Sequence, residues 1–315
     1  MSIKKYLSLL VIITIAGCAS INPSQPTVGT NDIGADNNKY GVLLMAHGGT
    51  SVWNASVISA IEPLKKHYPI EIAFGMADAN SIQEAVARLE SKGVRQIGVV
   101  RLFISGESWY QRTEQILGVR EGAPEFVDHS THDMGDMEQM PNGHKMGFWK
   151  IETISKFTLS HDGLGDTELM NMVLEERAED LSQNPANEDV LILAHGPGDD
   201  GENKRWIEAI SKRTTLIDSK FPFRKVQVMS LREDWRAKRE VASKQIRHFV
   251  SRAEQEGGVA IVIPFRVQGF GPYAKVLEGL NYVSDGKGLL PHANVTKWIK
   301  NQADAMQKNG FIVAQ

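Results

Sequence analysis

Cysteine is nearly absent from this chain: Cys18 is the only one in 315 residues. No intrachain disulfide can form, no thiolate beyond position 18 can bind a metal, and stability must come from burying apolar side chains. An excess of one charge is also lacking, since 35 Lys and Arg face 38 Asp and Glu for a formal net charge of −3. That mild acidity gives no support to nucleic acid as a partner, and no basic stripe marks the folded part for an anionic lipid surface. The apolar stretch from Tyr6 to Ile15 is too short to span a bilayer.

That short stretch has a different use. Lys4 and Lys5 precede it and the small residues Ala16-Gly17 follow it, the pattern of an export signal. Ile15-Ala16-Gly17-Cys18 resembles a bacterial lipobox, with Ile where Leu is commoner. The resemblance implies cleavage before Cys18 and acylation of its sulfur; the alternative is an ordinary secretory signal with an incidental cysteine. The reading is therefore a signal peptide over 1–17 and a flexible tether over 18–39, rich in Asn, Pro, Ser, Gly, Thr and Asp without apolar period. The expected location is the cell envelope, held to a membrane by lipid. Ala19 after Cys18 points to the outer membrane facing the periplasm if the cell is Gram-negative.

What the remainder has is an internal repeat. Val42-Leu43-Leu44-Met45-Ala46-His47-Gly48 returns as Val190-Leu191-Ile192-Leu193-Ala194-His195-Gly196. An apolar run of this length reads as a strand buried on both faces, as in a parallel sheet, and each copy ends on a histidine at the strand tip. In open α/β sheets ligands bind outside the carboxyl ends of the strands, so both histidines stand where chemistry is expected.

Strands and helices alternate along both copies. In the first, strands at 41–47, 70–76, 96–104 and 156–159 frame helices at 54–67, 82–89 and 109–117, with a further helix over 167–182. Ser81 and Glu84 suggest a capping box for the second of these helices. The second copy runs strand 189–194, helix 203–219, strand 225–230, helix 236–256, strand 259–265, and helices at 272–280 and 293–307. This order predicts α/β architecture with two duplicated, doubly wound parallel-sheet domains, over 40–185 and 186–315, and the length suits two domains at roughly 100–200 residues each. The first copy is the longer, with an insertion at about 119–156 that carries His129, His132, Met134, Met137, Met140 and His144.

The two Ala-His-Gly strands combine with the strand exit Leu231-Arg232-Glu233-Asp234 and the endings His161-Asp162-Gly163-Leu164 and Gly288-Leu289-Leu290-Pro291-His292. Together they resemble the CbiX-type sirohydrochlorin cobaltochelatases of the class II chelatase superfamily, over residues 40–310. The resemblance implies a bilobal chelatase-like fold whose cleft holds a tetrapyrrole such as sirohydrochlorin and a divalent ion, with cobalt, nickel or iron as the metal substrate.

Such chemistry needs a ligand that holds the ion loosely and an acceptor for two pyrrole protons. Neutral imidazole suits the first task and a carboxylate the second. His47 and His195 are the natural ligands by position, unless each imidazole merely hydrogen-bonds a neighbouring loop. Members of the family place a histidine shortly after the third strand; here Phe103-Ile104-Ser105-Gly106-Glu107-Ser108 offers Glu107, either as an oxygen ligand and base or as an exposed loop carboxylate. Arg232, Glu233 and Asp234 are expected either to contact substrate carboxylates or, the preferred reading, to pair among themselves, and His161 and His292 to hydrogen-bond across the turns that open the terminal helices. In the insertion, Met134, Met137 and Met140 flanked by His129, His132 and His144 form either a soft site for copper or a flexible lid. If the insertion is the working site, the protein is a non-catalytic metal carrier.

Overall fold

The structure, a computed structural model, describes residues 39–126, 138–139 and 145–314. The signal peptide, Cys18, the tether up to residue 38 and the insertion residues His129, His132, Met134, Met137, Met140 and His144 lie outside the described residues. The described residues form one compact unit.

In chain order the elements are β1 (Tyr40–Ala46), α1 (Ser51–Ile61), β2 (Ile70–Phe74), α2 (Ala79–Ser91), β3 (Gln96–Leu102), α3 (Tyr110–Ile116), β4 (Glu138–Gln139), β5 (Lys145–Met146), β6 (Lys156–Leu159) and α4 (Leu169–Leu181). The second half adds β7 (Glu188–Ala194), α5 (Asp200–Ser211), α6 (Thr215–Lys220), β8 (Lys225–Ser230), α7 (Arg236–Gln255), β9 (Val259–Phe265), α8 (Tyr273–Val276), β10 (Tyr282–Val283), α9 (Ala293–Gln307) and β11 (Ile312–Val313). One sheet runs β11-β6-β3-β1-β2 and the other β10-β9-β7-β8, with β4 and β5 as a separate antiparallel pair. Apart from the antiparallel β11, every pair within the two larger sheets is parallel. The expected α/β class with two parallel sheets is what the chain adopts.

The repeated strands lie next to the centre of their sheets, and all seven residues of each are buried. Their alternate side chains feed different cores. Val42 and Leu44 join Val190 and Ile192 in one core shared by both sheets. Leu43 and Met45 face an outer core with α2 and α3, while Leu191 and Leu193 face another with α7 and α8. That two-sided burial is the reason Val42–Ala46 and Val190–Ala194 are apolar throughout.

The last helix of each half crosses to the other sheet. α4 packs on β9 and α6, and α9 packs on β3, α1 and α4. Trp298 and Ile299 of α9 are buried in the shared core. Side chains secure the exchange: Tyr40 Oη donates to the Ala303 carbonyl at 2.8 Å, Thr296 Oγ1 to that of Ala60 at 2.9 Å, and Tyr68 Oη to the Asp304 carboxylate.

Two local expectations are corrected. Asp78, not Ser81, caps α2: its carboxylate accepts from Asn80 N and Ser81 N, and also from Gly147 N at 2.7 Å. The stronger acceptor three residues upstream serves both the helix end and the flank of the insertion. The helix expected over 203–219 is two helices, since Asp199 caps an earlier start and Thr214 Oγ1 bends back to the Ser211 carbonyl at 2.9 Å.

Candidate metal centre

The repeat extends from sequence to geometry at the two strand tips. Gly48 and Gly196 have φ of +78° and +77°, a region that favours glycine, and they turn the chain sharply as it leaves β1 and β7. Each histidine then points Nδ1 at the carbonyl of its own glycine, His47 at 2.6 Å and His195 at 2.8 Å. A carbonyl can only accept, so Nδ1 carries the proton and Nε2 is the working nitrogen in both. Met76 and Arg232, at matching positions after β2 and β8, both have left-handed backbones with φ of 64° and 57°. The two copies differ in what faces Nε2.

In the second copy, Nε2 of His195 lies 2.8 Å from Asp234 Oδ2 and 3.1 Å from Glu233 Oε1. Arg232 builds this contact without entering it. Its guanidinium is tied to the carbonyls of Pro197 and Gly198 and to Asp200, while its N–H donates to the His195 carbonyl at 2.7 Å. The left-handed turn that results sends the next two carboxylates back to the imidazole. Arg232, Glu233 and Asp234 therefore do not pair among themselves, as adjacency alone had suggested. Arg266, leaving β9, donates Nη1 to Glu233 Oε1 at 2.5 Å and lies over the buried Tyr273 ring at 5.4 Å. Glu233 Oε2 is buried with no hydrogen-bond partner.

Charge follows this geometry. Burial pushes the His195 imidazolium down, but the hydrogen bond to Asp234 and the charges of Glu233 and Asp234 outweigh it and hold the ring above its ordinary value. The His195 hydrogen bond holds the Asp234 carboxyl below its usual range despite partial burial, and positive charge on His195, His47 and Arg266 adds to the effect. His47, from the other lobe, thus stands close enough to act on Asp234.

The structure gives Glu107 a different partner from the one expected. Both its oxygens are taken by Arg205 of α5 at 2.6 Å, an exposed pair that bridges the lobes. Arg205 holds the Glu107 carboxyl low, which makes it a weak proton acceptor. Its loop is fixed by Arg101, a fully buried guanidinium that donates to the carbonyls of Gly106, Ser108 and Ser160 and whose pKa burial lowers to about 10. Among the described residues, no three His, Cys, Asp or Glu side chains already surround one point as a metal cage. At His195 the contacts are a hydrogen bond to Asp234 and a charge contact with Glu233, and an ion would have to replace the proton that now sits there.

Of the remaining histidines, His292 caps α9, accepting from Asn294 N at 3.0 Å while Nε2 meets Glu176 at 2.9 Å. His161 stacks on Tyr110 at 5.0 Å instead of capping a helix. A groove of about 780 Å³ runs along the open edge of β8 between α5 and α7 and takes in Asp200 and Arg232 but not His195, Glu233 or Asp234.

Known structures support the fold. SirB from Bacillus subtilis, solved with Fe3+, superposes with a TM-score of 0.54 at 14% identity, covering 86% of this chain and 96% of that one. DR2241 from Deinococcus radiodurans, a multi-domain protein with structural similarity to chelatases and two additional novel domains, gives a TM-score of 0.51 at 17% identity over 88% of this chain. The matched region is 57% of DR2241. No family profile matches the chain, and no curated protein matches it in sequence. The chain has a chelatase-like fold.

Proposed function

We propose that this protein binds a divalent metal ion at His195, Asp234 and Glu233, with His47 reaching in from the opposite lobe, and inserts it into a tetrapyrrole such as sirohydrochlorin. The observation that carries the reading is the His195 Nε2 contact with two carboxylates, one of which keeps a buried oxygen unpartnered. Imidazole nitrogen and carboxylate oxygen together suit borderline divalent ions such as cobalt, nickel or iron. The ion is a substrate and takes the place of the proton that His195 now shares.

The same groups serve the second half of the exchange. When the ion moves to the macrocycle, two pyrrole nitrogens each lose a proton, and the vacated imidazole and carboxylates are the acceptors beside them. Arg266 holds Glu233 in place and Arg232 fixes the turn, so the carboxylates keep their aim through the cycle. Glu107, paired with Arg205, is left outside this scheme. The lipobox-like start extends the reading to a lipid-anchored protein of the cell envelope.

The test is direct. Protein beginning at Asp36 is mixed with sirohydrochlorin and cobaltous ion, and metalation is followed by absorbance. Multiple turnovers that vanish in His195→Ala are expected; a rate no greater than the spontaneous one, with folded protein, refutes insertion.

A further inference from the structure

Each working histidine has a tryptophan beside it. The centroids of His47 and Trp53 are 6.3 Å apart, and so are those of His195 and Trp235. The two indoles come from different elements, Trp53 from the first turn of α1 and Trp235 from the residue before α7, so the likeness is not a by-product of the repeated strand. Both are supported from behind. Trp53 packs edge-on to Phe74 at 6.3 Å and against the Gly49 backbone, and Trp235 lies over Gly198 so closely that a Cβ there would meet its ring at 2.3 Å. Trp235 nevertheless keeps 40% of its surface exposed, and Trp53 is half-buried against the shared core.

We infer that Trp53 and Trp235 are paired aromatic walls that hold the flat face of a conjugated macrocycle against the metal-bearing histidines. This rests on the function proposed above and names the residues that would select its ring substrate. Burying an exposed indole against a π-face gains apolar contact and ring–ring attraction without requiring a polar partner. The imidazole planes are tilted by 54° and 83° from their indoles, so neither histidine stacks on its indole. Glycine at position 198 is then required because a Cβ there would overlap the indole, whereas one at position 49 would only crowd Trp53 at 3.3 Å.

The experiment titrates metal-free sirohydrochlorin and, separately, cobaltous ion into the full-length protein and four variants: Trp53→Leu, Trp53→Phe, Trp235→Leu and Trp235→Phe. Ring binding is read from its absorbance shift and metal binding by calorimetry. Each Leu variant is expected to bind the ring at least about tenfold more weakly, the Phe variants to recover part of that loss, and all four to bind cobaltous ion as the parent does. A purely structural role would weaken metal and ring alike and show no difference between Leu and Phe. If the parent binds the ring and the Leu variants bind it equally well, the aromatic walls are refuted while the chelatase reading stands. If the parent binds metal but no ring, both fall.

Discussion

Nε2 of His195 lies 2.8 Å from Oδ2 of Asp234, and the pair joins the end of β7 to the turn after β8. Nδ1 is already committed to a carbonyl, so this one nitrogen exchanges a proton with solvent, a carboxylate or a metal. Its titration reports on the whole site.

The His195 ring is expected to titrate above the ordinary imidazole value of about 6.5, and Asp234→Asn to lower it. Because the folded value is raised, the contribution to stability is complete below about pH 6.5 and disappears as pH rises through the folded value. Asp234 acts in the opposite sense: its folded value is lowered, so its contribution is present above about pH 3.9 and lost as pH falls through that lowered value. Histidine resonances followed by NMR across this range check both signs. A His195 value at or below that of a free imidazole refutes the geometry.

Metal uptake should compete with that proton. Affinity for cobaltous ion is expected to fall as pH drops below the raised His195 value, with proton release detected by calorimetry in buffers of different ionisation enthalpy. Asp234→Asn and Glu233→Gln should each weaken binding by about 10- to 100-fold. Binding that is unchanged by both substitutions would move the metal away from this cleft.

Two ion pairs separate site from scaffold. Glu107 and Arg205 keep 46% and 57% of their side chains exposed, and water screens such pairs so that they add little to stability. Glu107→Gln should therefore leave thermal stability and metal affinity nearly unchanged. Arg266→Leu instead leaves the Glu233 carboxylate, which keeps only 11% exposure, with His195 as its remaining charged partner, and breaking such a buried pair costs about 3–5 kcal/mol. A larger drop in Tm for Glu107→Gln than for Arg266→Leu would reverse this assignment.

Cys18 offers a test at the other end of the chain. If the lipobox-like segment is processed as its sequence suggests, labelled palmitate is incorporated in cells and Cys18→Ser abolishes it. Secretion with no label in the parent chain would instead identify an ordinary signal.

The strands could be read because both faces of each are buried, which leaves an unbroken apolar run such as Val190–Ala194. β10 and β11, at two residues each, are too short to carry a period. His47 and His195 stood out because the repeat marks them. Glu233 and Asp234 did not, since neighbouring charges look self-paired until the left-handed turn at Arg232 is known. The offset of Glu107 after the third strand marks it in the sequence, but offset carries no information about Arg205, 98 positions further on.

The exchange of terminal helices predicts how the protein comes apart. α9 belongs to the second half by sequence but buries Trp298 and Ile299 in the shared core and lies on β3, while α4 of the first half lies on β9. Neither half then covers its own sheet. Produced separately as 36–184 and 185–315, each half is expected to lack cooperative unfolding and to expose apolar surface. Mixed together, they should recover the far-ultraviolet spectrum and single transition of the intact chain. Trp298→Ala, which removes a fully buried indole, should cost about 3–5 kcal/mol and destabilise both halves in one transition. Two separate transitions, or a half that unfolds cooperatively alone, would show that the lobes are independent.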